Sequence, residues 1–265
     1  MSLINPDDDL ALLRRLGDRA REVALPFFRA APDVLNKDAE GFDPVTEADK
    51  LTEQCLRALI GEHCPDDSIL GEEQAPKVGT SGRTWILDPI DGTRAFIAGL
   101  PSWCVLIALC DETGPILSLI DQPFTAERFI GIAGYGQQAC WYERQGVERQ
   151  IRVRGVDTLS QAIGTTTDPY LFRGAEYAQF EAIRAAARLI RYGLDAYGYA
   201  AMALGGIDFV VETGLSPWDH AALAPIVRGA GGVFTDWQGR DLVQDGRVIA
   251  AASPALHRAL MAHLQ

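Results

Sequence analysis

The stretch Trp85–Phe96, WILDPIDGTRAF, ends an apolar run in two carboxylates, Asp88 and Asp91, separated by Pro89 and followed at once by Gly92 and Thr93. Two other carboxylates stand just past apolar or turn segments: Glu72 after SILG and Asp219 after LSPW. Converged at the mouth of a sheet, such groups repel one another and require cations. An all-oxygen set without His or Cys favours Mg²⁺, Mn²⁺ or Ca²⁺ over zinc, and Mg²⁺ if the ligand is a phosphate ester. Pro89 has no N–H and fixes its own φ, so the chain turns after Asp88 and can offer the Ile90 carbonyl and the Asp91 carboxylate to one centre. Gly92 and Thr93 then open a short helix, whose first N–H groups suit phosphate oxygens. Each residue also has a plainer reading. DPxDG is a common turn, Glu72-Glu73 a solvated pair, Asp219 a helix N-cap, and Asp49, three residues after Thr46, a surface carboxylate.

The elements that must position these residues follow from periodicity. Apolar residues at three- and four-residue spacing predict an amphipathic helix from Asp9 to Ala31, bent near Pro26. A second helix runs from Val45–Asp49 to about Cys64, and SIL and TWIL read as short strands flanking an exposed loop, QAPKVGTSG. WCVLIALC, ILSLI, RFIGIA and QACWY predict a largely antiparallel sheet. Beyond Arg154 the pattern alternates: a strand at 162–166, helices at 175–190 and 196–204, the strand IDFVVE, a helix from Trp218 to about Ala230, strands VFTDW and VIAAAS, and a helix from Ala255. A soft boundary near residue 150 separates an N-terminal lobe, 1–150, with most candidate ligands from a C-terminal lobe, 151–265, with Asp219, the two packed as one unit.

The chain has 265 residues, 48% of them hydrophobic, and a formal charge of −12. That charge argues against nucleic acid or an anionic membrane as partner, and an anionic substrate would need local positive charge such as bound metal. Five cysteines without a CxxC pair frame neither disulfides nor a zinc cage and suit a reduced, cytoplasmic protein. No basic leader and no apolar run of roughly 18 residues signals export or membrane insertion.

PVTEAD (44–49), GEE (71–73), WILDPIDGTRAF (85–96) and GGIDFVVETGLSPWDHAAL (205–223), in this order, resemble the inositol monophosphatase family of Mg²⁺-dependent phosphatases. The resemblance spans nearly the whole chain; a departure at Ala98 lies outside the ligand set. It implies an α+β fold, the layered αβαβα sandwich of the sugar phosphatases, and a homodimer. It also implies two to three Mg²⁺ ions, with Mn²⁺ an alternative. Glu72, Asp88 and the Ile90 carbonyl would hold the first, Asp88, Asp91 and Asp219 the second, and Glu72 a third through water. Thr93, hydrogen-bonded to Asp49, would position the attacking water, and the Gly92 and Thr93 amides would hold the phosphate, without a phosphoenzyme. Arg94 and Lys37 would help neutralise phosphate or carboxylates, or form surface salt bridges.

Specificity lies elsewhere. Relatives that hydrolyse inositol phosphates carry a small Gly-Thr-Ala type segment where this chain has RYGLDAY (191–197), so Asp195 introduces an anion. With Glu212, the position that contacts inositol hydroxyls in the family, it would form a two-carboxylate patch suited to a cationic alcohol. Members acting as histidinol-phosphate phosphatases resemble the chain in GTRAFIAGLPSW, LIDQPFTAERF, YGLDAYGYAAMALGGIDFVVE and GAGGVFTDW. The small-molecule ester expected is therefore L-histidinol phosphate, on the route to histidine, with an inositol or sugar phosphate as the alternative. Asp195 also reads as the N-cap of the next helix. A 3′-phosphoadenosine phosphatase fits less well, and a non-catalytic ion-binding protein would have no use for the Thr93–Asp49 pair. Trp103 and Tyr170 read as packing residues.

Overall fold

A computed structural model of the chain describes residues 6–30, 34–36 and 44–264. Helix α1 covers Pro6–Ala24 and a 3₁₀ turn covers Leu25–Phe27. The expected bent helix thus stops short, because Pro26 cannot donate the next helical hydrogen bond. Ala31 and Lys37 lie outside the described residues. Strands β1 (Val34–Asn36) and β2 (Pro44–Thr46) form an antiparallel pair that leads into α2, Glu47–His63.

Next come β3 (Ser68–Gly71), β4 (Thr84–Asp91), the short helix α3 (Thr93–Ile97), β5 (Cys104–Asp111), β6 (Gly114–Gln122), β7 (Glu127–Ile132), β8 (Ala139–Arg144) and β9 (Val147–Gln150). These seven strands form one sheet in chain order, antiparallel except for the parallel β3–β4 pair. The loop between β3 and β4 is exposed, with Val78 90% accessible, yet it is pinned. Lys77 exchanges backbone hydrogen bonds of 2.9 Å with Ile69, and the Thr80 and Ser81 amides donate to the Asp66 carbonyl.

The second half supplies β10 (Ile163–Thr166), α4 (Ala175–Ala186), β11 (Leu189–Tyr192), α5 (Tyr197–Ala203), β12 (Phe209–Glu212), α6 (Pro217–Ala221), α7 (Leu223–Gly229), β13 (Val233–Asp236), β14 (Val248–Ala251) and α8 (Pro254–His263). Its five-stranded sheet has the order β11-β10-β12-β14-β13, parallel at the β11 end and antiparallel at the other. Two expectations are corrected. The helix read as far as Ile190 ends at Ala186, and LIRY becomes the edge strand β11; four largely exposed residues leave no alternation to read. The single helix expected from Trp218 divides at Ala222, because Pro225 has no N–H for the Ala221 carbonyl.

Period-two alternation sorts the strands into layers. In β5, Val105, Ile107 and Leu109 pack with Leu13, Leu16, Leu56 and Ile60 of α1 and α2, whereas Cys104, Leu106 and Ala108 share a core with Tyr199, Met202, Ile226 and Val227 of α5 and α7. In β14, Val248 and Ala250 join that middle core, while Ile249 and Ala251 pack with Phe180, Ile183, Leu256 and Leu260 of α4 and α8. The order is therefore helices, seven-stranded sheet, helices, five-stranded sheet, helices, the expected αβαβα arrangement. Each fully buried Leu or Ile in these layers contributes about 1.5–3 kcal/mol. All five cysteines are unpaired, and Cys104, Cys110 and Cys140 are buried. Trp103 is fully buried against Phe28 and Phe96, but Tyr170 is 81% exposed on a 3₁₀ turn and is no packing residue. No described helix is long and apolar enough to cross a membrane.

Candidate active site

β4 runs in register with β5 as far as Asp88, opposite Leu106, and then bulges before Asp91 pairs with Cys104. Pro89 within the bulge cannot donate to the ladder, and the Ile90 amide instead donates to Asp88 Oδ1 at 3.0 Å. The capped turn that DPxDG suggests is therefore present, and the carboxylates it carries converge as well. Asp88, Asp91 and Asp219 each present a ligand-capable oxygen, all within 4.8 Å of one another.

Asp219 and Asp49 arrive by the same local device. Each is the third residue of a helix, and its carboxylate accepts from the amide just before that helix: Ser216 N–H at 2.6 Å for Asp219 and Thr46 N–H at 2.8 Å for Asp49. This reciprocal bonding fixes each carboxylate at a helix start. Asp49 is fully buried, so its plainer reading as a surface group does not hold. Its Oδ1 lies 3.5 Å from Thr93 Oγ1, which also donates to the Ile90 carbonyl at 3.1 Å.

Glu72 follows β3, its amide donating to the Leu87 carbonyl at 3.3 Å, and it stands close enough to Asp88 to be the strongest charged influence on it. Its turn is held from beneath by Glu53, a residue sequence reasoning passed over. Glu53 is fully buried and accepts from the Glu73 amide at 2.7 Å, the Gln74 amide at 3.1 Å and Arg57 Nε at 2.7 Å. Gly71 is obligatory here, because a Cβ would overlap the Glu53 carboxylate. The signal was present in the spacing: Glu53 lies one helical turn from Asp49 and shares its face.

The electrostatics of the cluster are those of a cation site. Burial, followed by repulsion from Glu72, Asp91, Asp219 and Asp49, drives the Asp88 pKa far above the usual carboxylate range. Burial, then Asp195 and Asp219, does the same to Asp91, opposed by a hydrogen bond from the Ala196 amide. A hard divalent ion among Asp88, Asp91 and Asp219 would offset much of this repulsion, and the donors are oxygens throughout. The residues present thus fit such an ion.

Beside the cluster a small cleft is lined by Asp91, Asp195, Glu212, Asp219, Thr167 and Tyr199 among others. Asp195 does not cap α5, whose N-cap is Ala196 without any side-chain bond. It adopts a left-handed backbone, φ 48°, and faces Gly92, where a Cβ would stand 3.0 Å from Asp195 Oδ2. Burial pushes its pKa up to about 6, with exposed Arg94 opposing the rise. Glu212, at the end of β12, is fully buried. It accepts from Thr166 Oγ1 at 3.0 Å, the Thr167 amide at 2.7 Å and Thr167 Oγ1 at 3.0 Å. Burial still pushes it up to about 8 against those donors. Sequence reasoning missed Thr166, Thr167, Ala196 and Tyr199. The GTTT run ending β10 was the available sign of hydroxyls near a site. Tyr199 gave none, reading as one more apolar position of α5.

The inositol monophosphatase family model matches residues 9–265. A histidinol-phosphatase of Chlorobaculum parvum is 35% identical over 96% of this chain and 95% of its own length. The Nus factor SuhB of Escherichia coli is 30% identical over 88% of this chain and 87% of its own. In three dimensions, an inositol monophosphatase from Zymomonas mobilis matches with a TM-score of 0.85 and 39% identity, over 97% of this chain and 98% of that one.

Proposed function

We propose that this chain, which belongs to the inositol monophosphatase family, is a Mg²⁺-dependent phosphatase that hydrolyses L-histidinol phosphate to L-histidinol and inorganic phosphate. One observation carries the choice of substrate: Asp195 and Glu212 line a single cleft together with Asp91 and Asp219. Glu212 alone would serve the hydroxyls of a neutral polyol, but Asp195 adds a second carboxylate, and a neutral alcohol has no charge to set against the pair. They suit an alcohol carrying an ammonium and an imidazole, since a cation there offsets the cost of their burial.

In this reading Glu72, Asp88 and the Ile90 carbonyl would hold one ion and Asp88, Asp91 and Asp219 a second, with Glu72 available to a third. When bound, Mg²⁺ supplies a Lewis acid to the phosphoryl group, a more acidic attacking water and neutralisation of the leaving oxygen. The Gly92 and Thr93 amides, with Arg94 at the rim, orient the phosphate. Thr93 Oγ1 accepts a hydrogen bond from the attacking water while its own proton points to Asp49 or the Ile90 carbonyl, its two acceptors at 3.5 and 3.1 Å. Asp49, tied to the Thr46 amide, keeps that hydroxyl from rotating away. Positioning of this kind is the main lever in phosphoryl transfer, which needs no covalent help from the protein.

The reading includes a place in histidine biosynthesis and a homodimer, both supported by the family resemblance, and a cytoplasmic setting, which the unpaired cysteines support. Its test is phosphate release from L-histidinol phosphate and from inositol 1-phosphate, side by side, with Mg²⁺ and with EDTA. The expected result is Mg²⁺-dependent release with the higher kcat/KM on histidinol phosphate. A preference for inositol 1-phosphate would favour the neighbouring reading, for which the Zymomonas mobilis likeness speaks. No Mg²⁺-dependent release from either ester would indicate a binding protein.

A further inference from the structure

Asp195 reaches the cleft on a segment without a side-chain cap: its backbone is left-handed and the helix it precedes has no side-chain cap bond. Backbone hydrogen bonds tie its ends, from the Gly193 amide to the Thr167 carbonyl at 2.9 Å and from the Gly198 amide to the Asp195 carbonyl at 3.1 Å, and two contacts tie it to the other sheet. On one side the Ala196 amide donates to Asp91 Oδ2 at 2.7 Å. On the other, the Tyr197 hydroxyl crosses to β7 and donates to Glu127 Oε2 at 2.8 Å. Glu127 is only 7% exposed and is built as an anchor. Thr125 Oγ1 donates to the same oxygen at 2.8 Å and the Tyr142 hydroxyl to Oε1 at 2.8 Å, while Arg21 Nη2 donates to its carbonyl at 3.2 Å. Burial alone would raise its pKa, yet the three hydroxyl donors, helped by Arg144, bring it below the ordinary value. The neighbouring Arg128 is itself fixed, to Asp121 at 2.7 Å and Asp18 at 2.8 Å.

We propose that the Tyr197–Glu127 hydrogen bond is a specificity-positioning device: it locks the start of α5 to the seven-stranded sheet and thereby holds Asp195 where a cationic alcohol must dock. Neither residue lines the cleft, so both act through Asp195 and the Ala196 amide. The reasoning is geometric. Tyr197 is two residues from Asp195, and a charge-assisted hydrogen bond is the strongest tether available to a side chain of this kind. Without it the left-handed residue before the helix can relax, and the Asp195 carboxylate loses its register with Gly92 and Asp91.

The inference rests on the histidinol phosphate reading, and its test separates the two. The Mg²⁺-loaded enzyme and its Tyr197→Phe, Glu127→Gln and Asp195→Asn variants are assayed on L-histidinol phosphate and inositol 1-phosphate. Tyr197→Phe removes one oxygen and is expected to lower the ratio of kcat/KM for the two esters by roughly tenfold through KM, the loss typical of one charge-assisted hydrogen bond. Glu127→Gln keeps an oxygen acceptor for the hydroxyl and gives a ratio between those of the wild type and Tyr197→Phe. If Asp195→Asn lowers the ratio but Tyr197→Phe leaves it unchanged, or depresses both esters equally, the anchor is refuted while the substrate reading stands. A ratio untouched by Asp195→Asn removes the substrate reading and the anchor's role with it.

Discussion

Replacing Asp195 by Asn tests the substrate assignment with the least disturbance, because the side chain keeps its shape and loses only its charge. At about 4 Å and an effective dielectric near 20, a carboxylate and a substrate cation attract by about 4 kcal/mol. Desolvating the incoming cation offsets part of this, and Glu212 remains in place, so a net loss of about 2–3 kcal/mol is expected, or roughly 30- to 150-fold in kcat/KM for histidinol phosphate. The substitution has a second effect. Asp195 is the foremost charged neighbour raising the Asp91 pKa, so its loss also eases repulsion in the carboxylate cluster, for every substrate alike. The ratio of kcat/KM for histidinol phosphate to that for inositol 1-phosphate cancels this common effect, and saturating Mg²⁺ minimises it. The assay belongs near pH 8, because a carboxylate raised to about 6 is ionised there and partly protonated at pH 6. Phosphate release over a range of each ester then gives the ratio, and the fall should lie in KM, as expected for a contact made equally in the ground and transition states. A ratio within about twofold of wild type would refute the pairing, since even half of the Coulomb attraction is a change of roughly 30-fold.

Glu53→Ala leaves the Glu73 and Gln74 amides without their acceptor, so the Glu72 turn loosens. The Mg²⁺ concentration at half-saturation, read from thermal melts across a Mg²⁺ titration, should rise by roughly 10- to 100-fold. An unchanged midpoint would show that Glu72 is positioned by β3 alone. Asp91→Asn should stabilise the metal-free protein in EDTA by on the order of 1 kcal/mol, about 2–4 °C at this chain length, while abolishing the stabilisation by Mg²⁺. The sign follows from a raised folded pKa. The native carboxylate holds its proton more tightly than the unfolded chain does, so wild-type stability falls as pH rises above about 4, and the variant removes that loss. A lower melting temperature for Asp91→Asn in EDTA would contradict this. His257 has the opposite linkage. Burial, helped by Arg258, lowers its pKa, and Thr235 Oγ1 lies 2.7 Å from Nε2. Its contribution is complete above about pH 6.5 and is lost as pH falls from there through the folded value. Urea midpoints at pH 5 and 7.5 should therefore converge in His257→Gln, and an unaltered gap would exonerate this residue.

What the sequence could and could not convey follows from how each residue is held. The layers were legible because β5 and β14 obey strict alternation between two cores, whereas the edge strand β11 was lost because exposed residues carry no such pattern. In the site, Asp88 and Asp91 stood out because a proline and a glycine follow them directly, and Asp219 because it follows the turn segment LSPW. Glu53 and Glu127 carry no local mark. Glu53 lies within α2 and Glu127 opens β7, and the role of each depends on partners from 20 residues away or 70 residues away. The same physics explains both outcomes. A carboxylate at a turn is placed by local φ and ψ, which neighbouring residues reveal. An anchor is dictated by burial and by donors brought from other elements, which they do not. Glu53 and Glu127 are both buried and accept several hydrogen bonds. Their substitution should therefore disturb the precision of the site before it disturbs the fold, with Mg²⁺ affinity reporting one anchor and ester discrimination the other.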